Sequence, residues 1–441
     1  MKPILALNAF DMNDVDVLGG ALERQLRRRA KLFGAASVLF YDRPLEIVRG
    51  EGCWLYDADG AAYLDAYNNV PSVGHAHPHV VEAAARQLSQ LNVHNRYLHH
   101  GILDYAERLL GTLPASLSNI SFTCTGSESN DLALRLASSF TGGEGVIVTE
   151  AAYHGNTALV TETSPTSFKK GGPPPRVRVI PAPDSYRVSP ELLSETFAGN
   201  VAAAIADLSN SGIRFSALLI DSIFSSDGIF ADPPGFLRAA ADVVRSAQGL
   251  VIADEVQPGF GRTGASLWGF QRHGVTPDIV TMGKPMGNGY PIGAVATRPE
   301  ILDAFCARYG YFNTYAGSPV AAAVGQAVLD VIEREQLMDN AERVGAYLKQ
   351  RLSDLSVRHR HIADVRGAGF YIGVELVDPL DGLPAPDLAA TIINQLRHRR
   401  VLIGAAGRSG SVLKIRPPLC FSTVNADQLV AALDEALAAA C

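Results

Sequence analysis

The chain has 441 residues, of which 47% are hydrophobic, and a formal net charge of −7 at pH 7. This length and apolar content exceed what one hydrophobic core usually fills, so we expect one large and one smaller domain. A mildly acidic chain without a basic, aromatic-interleaved patch is not expected to bind nucleic acid. No apolar run approaches the roughly 18 residues of a membrane helix, and residues 1–12 lack the unbroken apolar core of a signal peptide.

The five cysteines are scattered along the chain, and none belongs to a C-x-x-C pair. An odd number without close spacing favours a reducing compartment over a disulfide framework, and it disfavours a zinc site. We therefore expect a cytoplasmic protein whose partners are small molecules, with no nucleic acid and no membrane among them. The cysteines are Cys53, Cys124, Cys306, Cys420 and Cys441.

In the first part of the chain the apolar residues have helical spacing, and after it apolar and polar residues alternate as they do in the strands of a small sheet. Residues 1–35 predict a helical arm, and residues 40–64 predict a meander with a hairpin at Asp59-Gly60. Amphipathic helices are predicted over residues 78–91 and 102–113, and a further short helix is predicted over residues 201–205.

Three histidines, His75, His77 and His79, stand at alternating positions between these segments. Alternation would bring their side chains together only in a strand, and Pro78 makes a strand unfavourable. Neither a cysteine nor a carboxylate beside them in sequence completes a ligand set. We therefore predict a structural loop and no metal site.

A short apolar run at residues 120–122 predicts a strand, and residues 132–140 predict a helix. The turn between them contains Gly126 and Ser127. Free backbone N–H groups and the dipole at a helix start suit a phosphate group. An ordinary capping turn explains the segment equally well, because it has neither a P-loop pattern nor a dinucleotide-binding pattern.

The most informative stretch is residues 250–291. An apolar run predicts a buried strand that ends on Asp254, and a second one ends just before Lys284, in a loop rich in glycine and proline. A solvated lysine is the ordinary interpretation of such a loop. An amine that can form a Schiff base and a carboxylate that can keep a ring nitrogen protonated are, however, the pair that pyridoxal phosphate requires.

The same stretch carries a family resemblance. Its motif D-E-V-Q-x-G-F-G-R-x-G, followed by P-D-I-V-T-M-G-K, resembles the signature of class III (subgroup II) aminotransferases, which use pyridoxal phosphate. The resemblance extends from about residue 40 to about residue 429. Segments 68–70, 95–99, 126–136 and 412–421 most resemble the ethanolamine-phosphate phospho-lyase branch and its bacterial aminotransferase relatives.

The resemblance implies an α/β protein of fold type I. Its large cofactor-binding domain would contain a mostly parallel, seven-stranded sheet between helices, beside a smaller α+β domain. We expect the N-terminal arm and small sheet over residues 1–66, the large domain over 67–318 and the C-terminal small domain over 319–441. The resemblance also implies a homodimer, or a tetramer built from dimers.

The resemblance further assigns roles to single residues. Lys284 would form the Schiff base with the cofactor, and Asp254 would pair with its ring nitrogen. Gly126 and Ser127 would bind the cofactor phosphate, to which Thr314 would reach from the partner subunit. The other implied contacts are Tyr153 stacked on the ring, the neighbouring His154, Gln257 on the ring hydroxyl, and Arg416 with Arg96 on an anionic group of the substrate.

The sequence alone favours an aminotransferase that moves an amino group between an amine or ω-amino acid and a 2-oxo acid such as pyruvate. The alternative is a phospho-lyase that eliminates phosphate and ammonia from phosphoethanolamine or a similar phosphorylated amine. At or near Ser226 the chain lacks an acidic residue of the GABA- and ornithine-type enzymes, which argues against those subtypes. A non-catalytic protein with an inherited fold is disfavoured because Lys284, Asp254 and Ser127 are intact.

Overall fold

The computed structural model describes residues 8–36 and 38–440. Where it is described, the predicted N-terminal helical arm is confirmed, and its buried Leu26 belongs to a small apolar cluster. The parts of our predictions that concern residues 1–7 and Cys441 lie outside the described residues. The helices of the arm are α1 (Val15–Leu18) and α2 (Gly20–Phe33).

The small sheet that follows has three antiparallel strands, β1 (Ile47–Glu51), β2 (Trp54–Asp57) and β3 (Ala62–Asp65). Gly60, in the turn between β2 and β3, has a φ of 81°. Glycine adopts this left-handed conformation at little cost, which explains the Asp59-Gly60 hairpin that the sequence predicts.

The centre of the molecule is one sheet of seven strands, β4 (Asn119–Thr123), β5 (Gly145–Thr149), β6 (Val177–Ile180), β7 (Phe215–Ile220), β8 (Leu250–Asp254), β9 (Ile279–Met282) and β10 (Gly293–Thr297). Their order is β4-β10-β9-β8-β7-β5-β6. Only β10 runs antiparallel to its neighbours, whereas the other pairs are parallel. The predicted mostly parallel, seven-stranded sheet is therefore confirmed.

Helices cover both faces of this sheet, namely α3 (Pro78–Leu88), α4 (His100–Leu110), α5 (Gly126–Thr141), α6 (Ala158–Glu162), α7 (Pro190–Asn210), α8 (Arg238–Ser246) and α9 (Pro299–Cys306). Successive residues of β7 face opposite ways. Leu218 packs with Phe197 of α7, and Leu219 packs with Leu132 of α5 and Phe305 of α9. The strands are therefore buried on both faces, which explains their continuous apolar runs.

The C-terminal part is α+β, with α10 (Pro319–Arg334), α11 (Leu337–Leu355), β11 (Ile362–Ala368), β12 (Tyr371–Leu376), α12 (Pro386–His398), β13 (Val401–Leu402), β14 (Gly404–Ala406), β15 (Val412–Ile415) and α13 (Thr423–Ala440). An antiparallel sheet has the order β11-β12-β15-β14. β13 instead pairs in parallel with β3 of the N-terminal sheet. No local pattern indicates this pairing, and the exact domain boundaries stay a prediction.

Two helices extend beyond their predicted bounds. α5 begins at Gly126 because the hydroxyl of Thr125 caps it by accepting a hydrogen bond from the Glu128 N–H at 3.1 Å. α7 has 21 residues, of which the apolar pattern indicated only residues 201–205. Of the helices in the described chain, none combines the length and the apolar character needed to cross a membrane.

Candidate active site

The carboxyl ends of β5, β7, β8 and β9 meet at a cavity of about 330 Å³. Open α/β sheets bind their ligands at this edge, where successive loops diverge. The cavity brings together most of the residues predicted to contact a cofactor. Among its lining residues are Gly126, Ser127, Tyr153, His154, Asp254, Gln257 and Lys284.

Lys284 stands immediately after β9, at the start of a short 3-10 helix. Its φ of 30° is unusual for a residue with a side chain, so the surrounding loop constrains the direction of the amine. Burial lowers the pKa of the Lys284 ammonium, Arg416 acts in the same direction, and Asp254 opposes them. The site therefore favours a neutral, nucleophilic amine.

Asp254 ends β8 and is 4% exposed. One carboxylate oxygen lies 2.7 Å from Nδ1 of His154 and accepts a hydrogen bond from Nδ2 of Asn130 at 2.9 Å. The other accepts the Val256 N–H at 3.1 Å. Asn130 is oriented by Thr281, whose hydroxyl donates to its amide oxygen at 2.7 Å. The sequence analysis missed Asn130, because a polar residue in the first turns of a helix usually faces solvent.

Gly126, at the start of α5, and Gly155, in the loop that approaches it, form a concave backbone surface that we call the glycine cradle. Neither position has room for further side-chain atoms. A Cβ added to Gly126 would lie 2.8 Å from a methyl group of Val256, and one added to Gly155 would lie 2.5 Å from Oγ of Ser127. That Ser127 oxygen accepts a hydrogen bond from the Asn156 N–H at 3.2 Å. The glycines thus keep the backbone of the helix start open to a ligand.

Gln257 connects the cavity to the C-terminal sheet. Its amide oxygen accepts hydrogen bonds from Nη1 of Arg416 at 2.6 Å and from the hydroxyl of Tyr371 at 2.8 Å. Its amide nitrogen donates to Ser225 at 2.6 Å. The Arg416 guanidinium also lies over the ring of Tyr67, 4.6 Å from the centroid, and its buried Nε has no partner. Arg416 therefore lies beside the cavity with hydrogen-bonding capacity to spare.

Lys414, which no sequence motif indicated, lies in β15, and Arg416 follows directly after the end of that strand. Its direct neighbours across β12 and β14 are Gly373 and Gly404. Opposite residues in antiparallel strands point to the same face, so the two glycines place no side chain beside Lys414, and other side chains fill the positions that their Cβ atoms would take. The flanking Leu413 and Ile415 face the main core instead. Lys414 is 6% exposed.

No carboxylate in the described part of the chain forms an ion pair with Lys414 or Arg416. Burial lowers the pKa of Lys414 well below its usual value, and the charge of Arg416 adds to the effect, whereas Asp221 opposes it. Burial in turn raises the pKa of Asp221, whose carboxylate accepts a hydrogen bond from the hydroxyl of Ser225. Two basic side chains thus lie near Lys284 without a carboxylate partner.

Two predicted site residues lie outside this cavity. Thr314 is exposed and lines a neighbouring cavity of about 620 Å³. Arg96 is exposed too, and its guanidinium lies over the ring of Phe312, 3.7 Å from the centroid. Their predicted contacts with the partner's cofactor and with substrate stay predictions.

The three histidines of the loop before α3 each contact a different carboxylate. His75 lies 2.6 Å from Asp65, His77 lies 2.9 Å from Glu335, and His79 lies 2.9 Å from Asp330. The described residues contain no group of three or more His, Cys, Asp or Glu side chains arranged to bind a metal ion.

The geometry agrees with comparisons to known proteins. The sequence profile of the family described as Aminotransferase class-III matches residues 40–437. The chain belongs to this family. The resemblance drawn from the motifs around Asp254 and Lys284 is therefore confirmed.

Individual relatives of this member of the class-III family carry two kinds of name. A Drosophila melanogaster protein named alanine–glyoxylate aminotransferase 2-like is 41% identical over 94% of this chain and 87% of its own length. A Caenorhabditis elegans ethanolamine-phosphate phospho-lyase homolog 1 is 39% identical, covering 94% and 93%. A solved phospholyase from Arthrobacter in complex with phosphoethanolamine is 44% identical, with a TM-score of 0.90 over 94% of this chain and 99% of that one.

Class-III aminotransferases depend on pyridoxal phosphate, and the residues of this chain fit that cofactor. The glycine cradle at Gly126 and Gly155 is closed to a Cβ but open to a phosphate group. Asp254, buried among donors, suits a protonated ring nitrogen, and Lys284 suits an aldehyde. His154 keeps Nε2 buried without a partner.

Proposed function

We propose that this enzyme is a pyridoxal phosphate-dependent lyase that eliminates phosphate and ammonia from phosphoethanolamine or a similar phosphorylated amine. The net reaction converts phosphoethanolamine and water into acetaldehyde, ammonia and phosphate. This reverses the order in which the sequence alone ranks the two reactions.

The main support is the pair Lys414 and Arg416, two basic side chains near Lys284 without a carboxylate partner. A phosphate monoester carries nearly two negative charges at neutral pH, whereas a carboxylate carries one. A phosphate group bound between them would stabilise the charged form of Lys414, which burial disfavours in the empty site. The 44% identity to a phospholyase solved with phosphoethanolamine supports the same substrate class.

The remaining residues have roles that follow from their surroundings. Bound pyridoxal phosphate would supply an electron-withdrawing ring joined to the substrate nitrogen. Asp254, bonded to His154 and Asn130, would keep the proton on the ring nitrogen. The amine of Lys284 would remove a proton from the amine-bearing carbon, and Lys414 with Arg416 would stabilise the departing phosphate.

We also propose that the enzyme is a homodimer in which Thr314 completes the partner's cofactor site. Support comes from exposed aromatic residues around Thr314. Tyr315 is 78% exposed and Tyr97 is 64% exposed, and both lie beside His94, which stacks on Tyr97 and shares a cavity with Tyr315. An apolar surface of this kind is typical of an interface. From its cysteines we propose a cytoplasmic location.

Aminotransferase activity is the second candidate. The family match and the name of the Drosophila relative favour it. A 2-oxo acid would need only one cation for its carboxylate, and Arg416 alone could supply it. Lys414 would then have no role in binding the substrate.

Assays in which purified holoenzyme receives one substrate at a time distinguish the two reactions. Phosphoethanolamine without any 2-oxo acid should yield phosphate and acetaldehyde over many turnovers, while the visible absorption of the lysine-bound cofactor persists. A lasting loss of that absorption with an amine or ω-amino acid, restored by pyruvate, would instead establish an aminotransferase. Absence of phosphate release at saturating phosphoethanolamine would reject the lyase.

A further inference from the structure

Two cysteines that are remote in sequence meet behind the active-site loops. The Sγ atoms of Cys53 and Cys420 are 3.3 Å apart, within hydrogen-bonding distance for sulfur. Cys53 lies in the turn between β1 and β2 and is buried, whereas Cys420 is partly buried in the segment after β15. Formation of a disulfide requires the two sulfur atoms to approach by roughly 1.3 Å, to about 2.05 Å.

The surroundings of the pair differ for the two sulfurs. A hydrogen bond from Cys53 lowers the pKa of Cys420, and Arg262 adds to this effect, whereas burial and Glu335 oppose it. The same hydrogen bond, together with burial and the nearby Asp65, raises the pKa of Cys53. Either sulfur can donate the hydrogen bond between them, but Cys420 is the less buried of the two and is therefore the sulfur that a peroxide reaches first.

Arg262 is an unusual neighbour for two thiols. It is 1% exposed, and its Nη1 donates only to the backbone oxygens of Pro417 and Phe370. Its Nη2 is buried without a partner, and no carboxylate among the described residues pairs with it. Burial lowers the pKa of Arg262 to about 10. A buried cation of this kind stabilises a thiolate beside it.

The cysteine pair is also mechanically connected to the active site. Cys420 follows Arg416 by four residues, and this segment is fixed to the loop before α3 because the Arg416 N–H donates to Ala66 at 2.9 Å and the Leu419 N–H donates to Ser72 at 2.7 Å. On the other side, Gly52 exchanges two backbone hydrogen bonds with His75 of that loop. A bond between the sulfurs would shift the segment that positions Arg416.

We propose that Cys53 and Cys420 form a reversible disulfide when the enzyme meets a hydroperoxide, and that this bond weakens the grip of Arg416 on the anionic substrate. The Cys420 sulfur attacks one peroxide oxygen, the O–O bond breaks, and a sulfenic acid and water form. The Cys53 sulfur then attacks the sulfenic sulfur, and the hydroxyl group leaves as a second water with the Cys53 proton. Two thiols lose two electrons, and one hydrogen peroxide is reduced.

The test treats holoenzyme with a small excess of hydrogen peroxide, quenches it and maps the peptides by mass spectrometry. A peptide pair joined through Cys53 and Cys420, with a mass loss of 2 hydrogens that dithiothreitol reverses, is the expected result. It should be absent from C53S and from C420S, and present in C306S, which removes an exposed cysteine elsewhere. Overoxidised Cys420 without a joined peptide would overturn the proposal, as would two unmodified thiols.

A measurement of activity after oxidation rests on the proposed function, whereas the peptide mapping does not. Oxidised enzyme should have a KM for phosphoethanolamine raised about tenfold, as expected for a displaced charged hydrogen-bond donor, and dithiothreitol should restore it. C420S should keep its KM after peroxide. A joined peptide with unchanged KM would overturn the effect on Arg416. Absence of lyase activity in the reduced enzyme would instead indicate that the proposed function has failed.

Discussion

Lys414 in β15 and Arg416, which directly follows that strand, place two basic side chains near Lys284. The sequence drew attention to Arg416 because it stands at a strand end within a resembling motif. It gave no signal for Lys414, since the neighbours of this residue across the sheet, Gly373 and Gly404, belong to two other strands. Only the pairing of three strands reveals why a lysine is accommodated there.

Removal of the Lys414 charge should therefore affect phosphate-bearing substrates selectively. In Lys414→Met we expect kcat/KM for phosphoethanolamine to fall about 10- to 100-fold, because a charged hydrogen bond contributes about 1.5–3 kcal/mol. Lys414→Arg should recover part of the loss. Lys169→Met, on an exposed residue, is the matched control, and equal rates for all variants would contradict the role.

The close packing of the glycine cradle at the start of α5 predicts that an added side chain weakens cofactor binding. A Cβ at Gly155 would lie 2.5 Å from Oγ of Ser127, and Gly155 has a φ of 143°. Gly155→Ala should therefore lower the affinity for pyridoxal phosphate about 5- to 150-fold, since crowding of this kind costs about 1–3 kcal/mol. Gly199→Ala in α7, where a Cβ meets nothing within 4 Å, should retain cofactor during dialysis.

Retention of cofactor by Gly155→Ala would show that the cradle tolerates a side chain and that phosphate binds elsewhere. The cofactor content is measured from the visible absorption after dialysis. The thermal unfolding of both variants serves as the control for folding.

A short 3-10 helix after β8 carries the fully buried His273, which predicts a dependence of stability on pH. Its Nε2 lies 2.9 Å from the Ser222 carbonyl, and Nδ1 accepts the Gly235 N–H at 3.3 Å, as a neutral imidazole does. Burial lowers the pKa of His273 to about 4. The contribution of His273 to folding stability is fully present above about pH 6.5, the pKa of histidine in the unfolded chain, and is lost as the pH falls towards 4.

As the pH falls from about 6.5 to 4, the free energy of unfolding of the wild-type protein should decrease by about 3 kcal/mol more than that of His273→Gln. Urea unfolding at several pH values between 7 and 4 measures the difference. Parallel curves for the two proteins would contradict a neutral buried His273.

The arrangement of the whole molecule shows what the sequence can and cannot predict. The apolar runs of β8 and β9 predict buried strands, and the mostly parallel sheet implied by the family resemblance places Asp254 and Lys284 at one of its edges. The pairing of β13 with β3 joins segments more than 300 residues apart and has no local signal. Asn130 was missed for a similar reason, because its partner Asp254 lies on a separate strand.

The exposed aromatic surface around Thr314 predicts the oligomeric state. In Tyr315→Asp a charge replaces a ring that is 78% exposed in the single chain, and we expect the dimer to dissociate and cofactor affinity to fall together. Leu380→Asp, on a side chain 95% exposed, should leave a dimer. Light scattering after gel filtration distinguishes the two, and a dimeric Tyr315→Asp would place the interface elsewhere.

The central claim is that Lys414 and Arg416 bind the phosphate of the substrate. A crystal structure of the Lys284→Ala holoenzyme with phosphoethanolamine tests it most directly, because the variant lacks the amine that removes the proton. We predict phosphate oxygens about 2.7–2.9 Å from Nζ of Lys414 and from the guanidinium of Arg416. A substrate phosphate bound away from both side chains, with Lys414 still without a partner, would contradict the account.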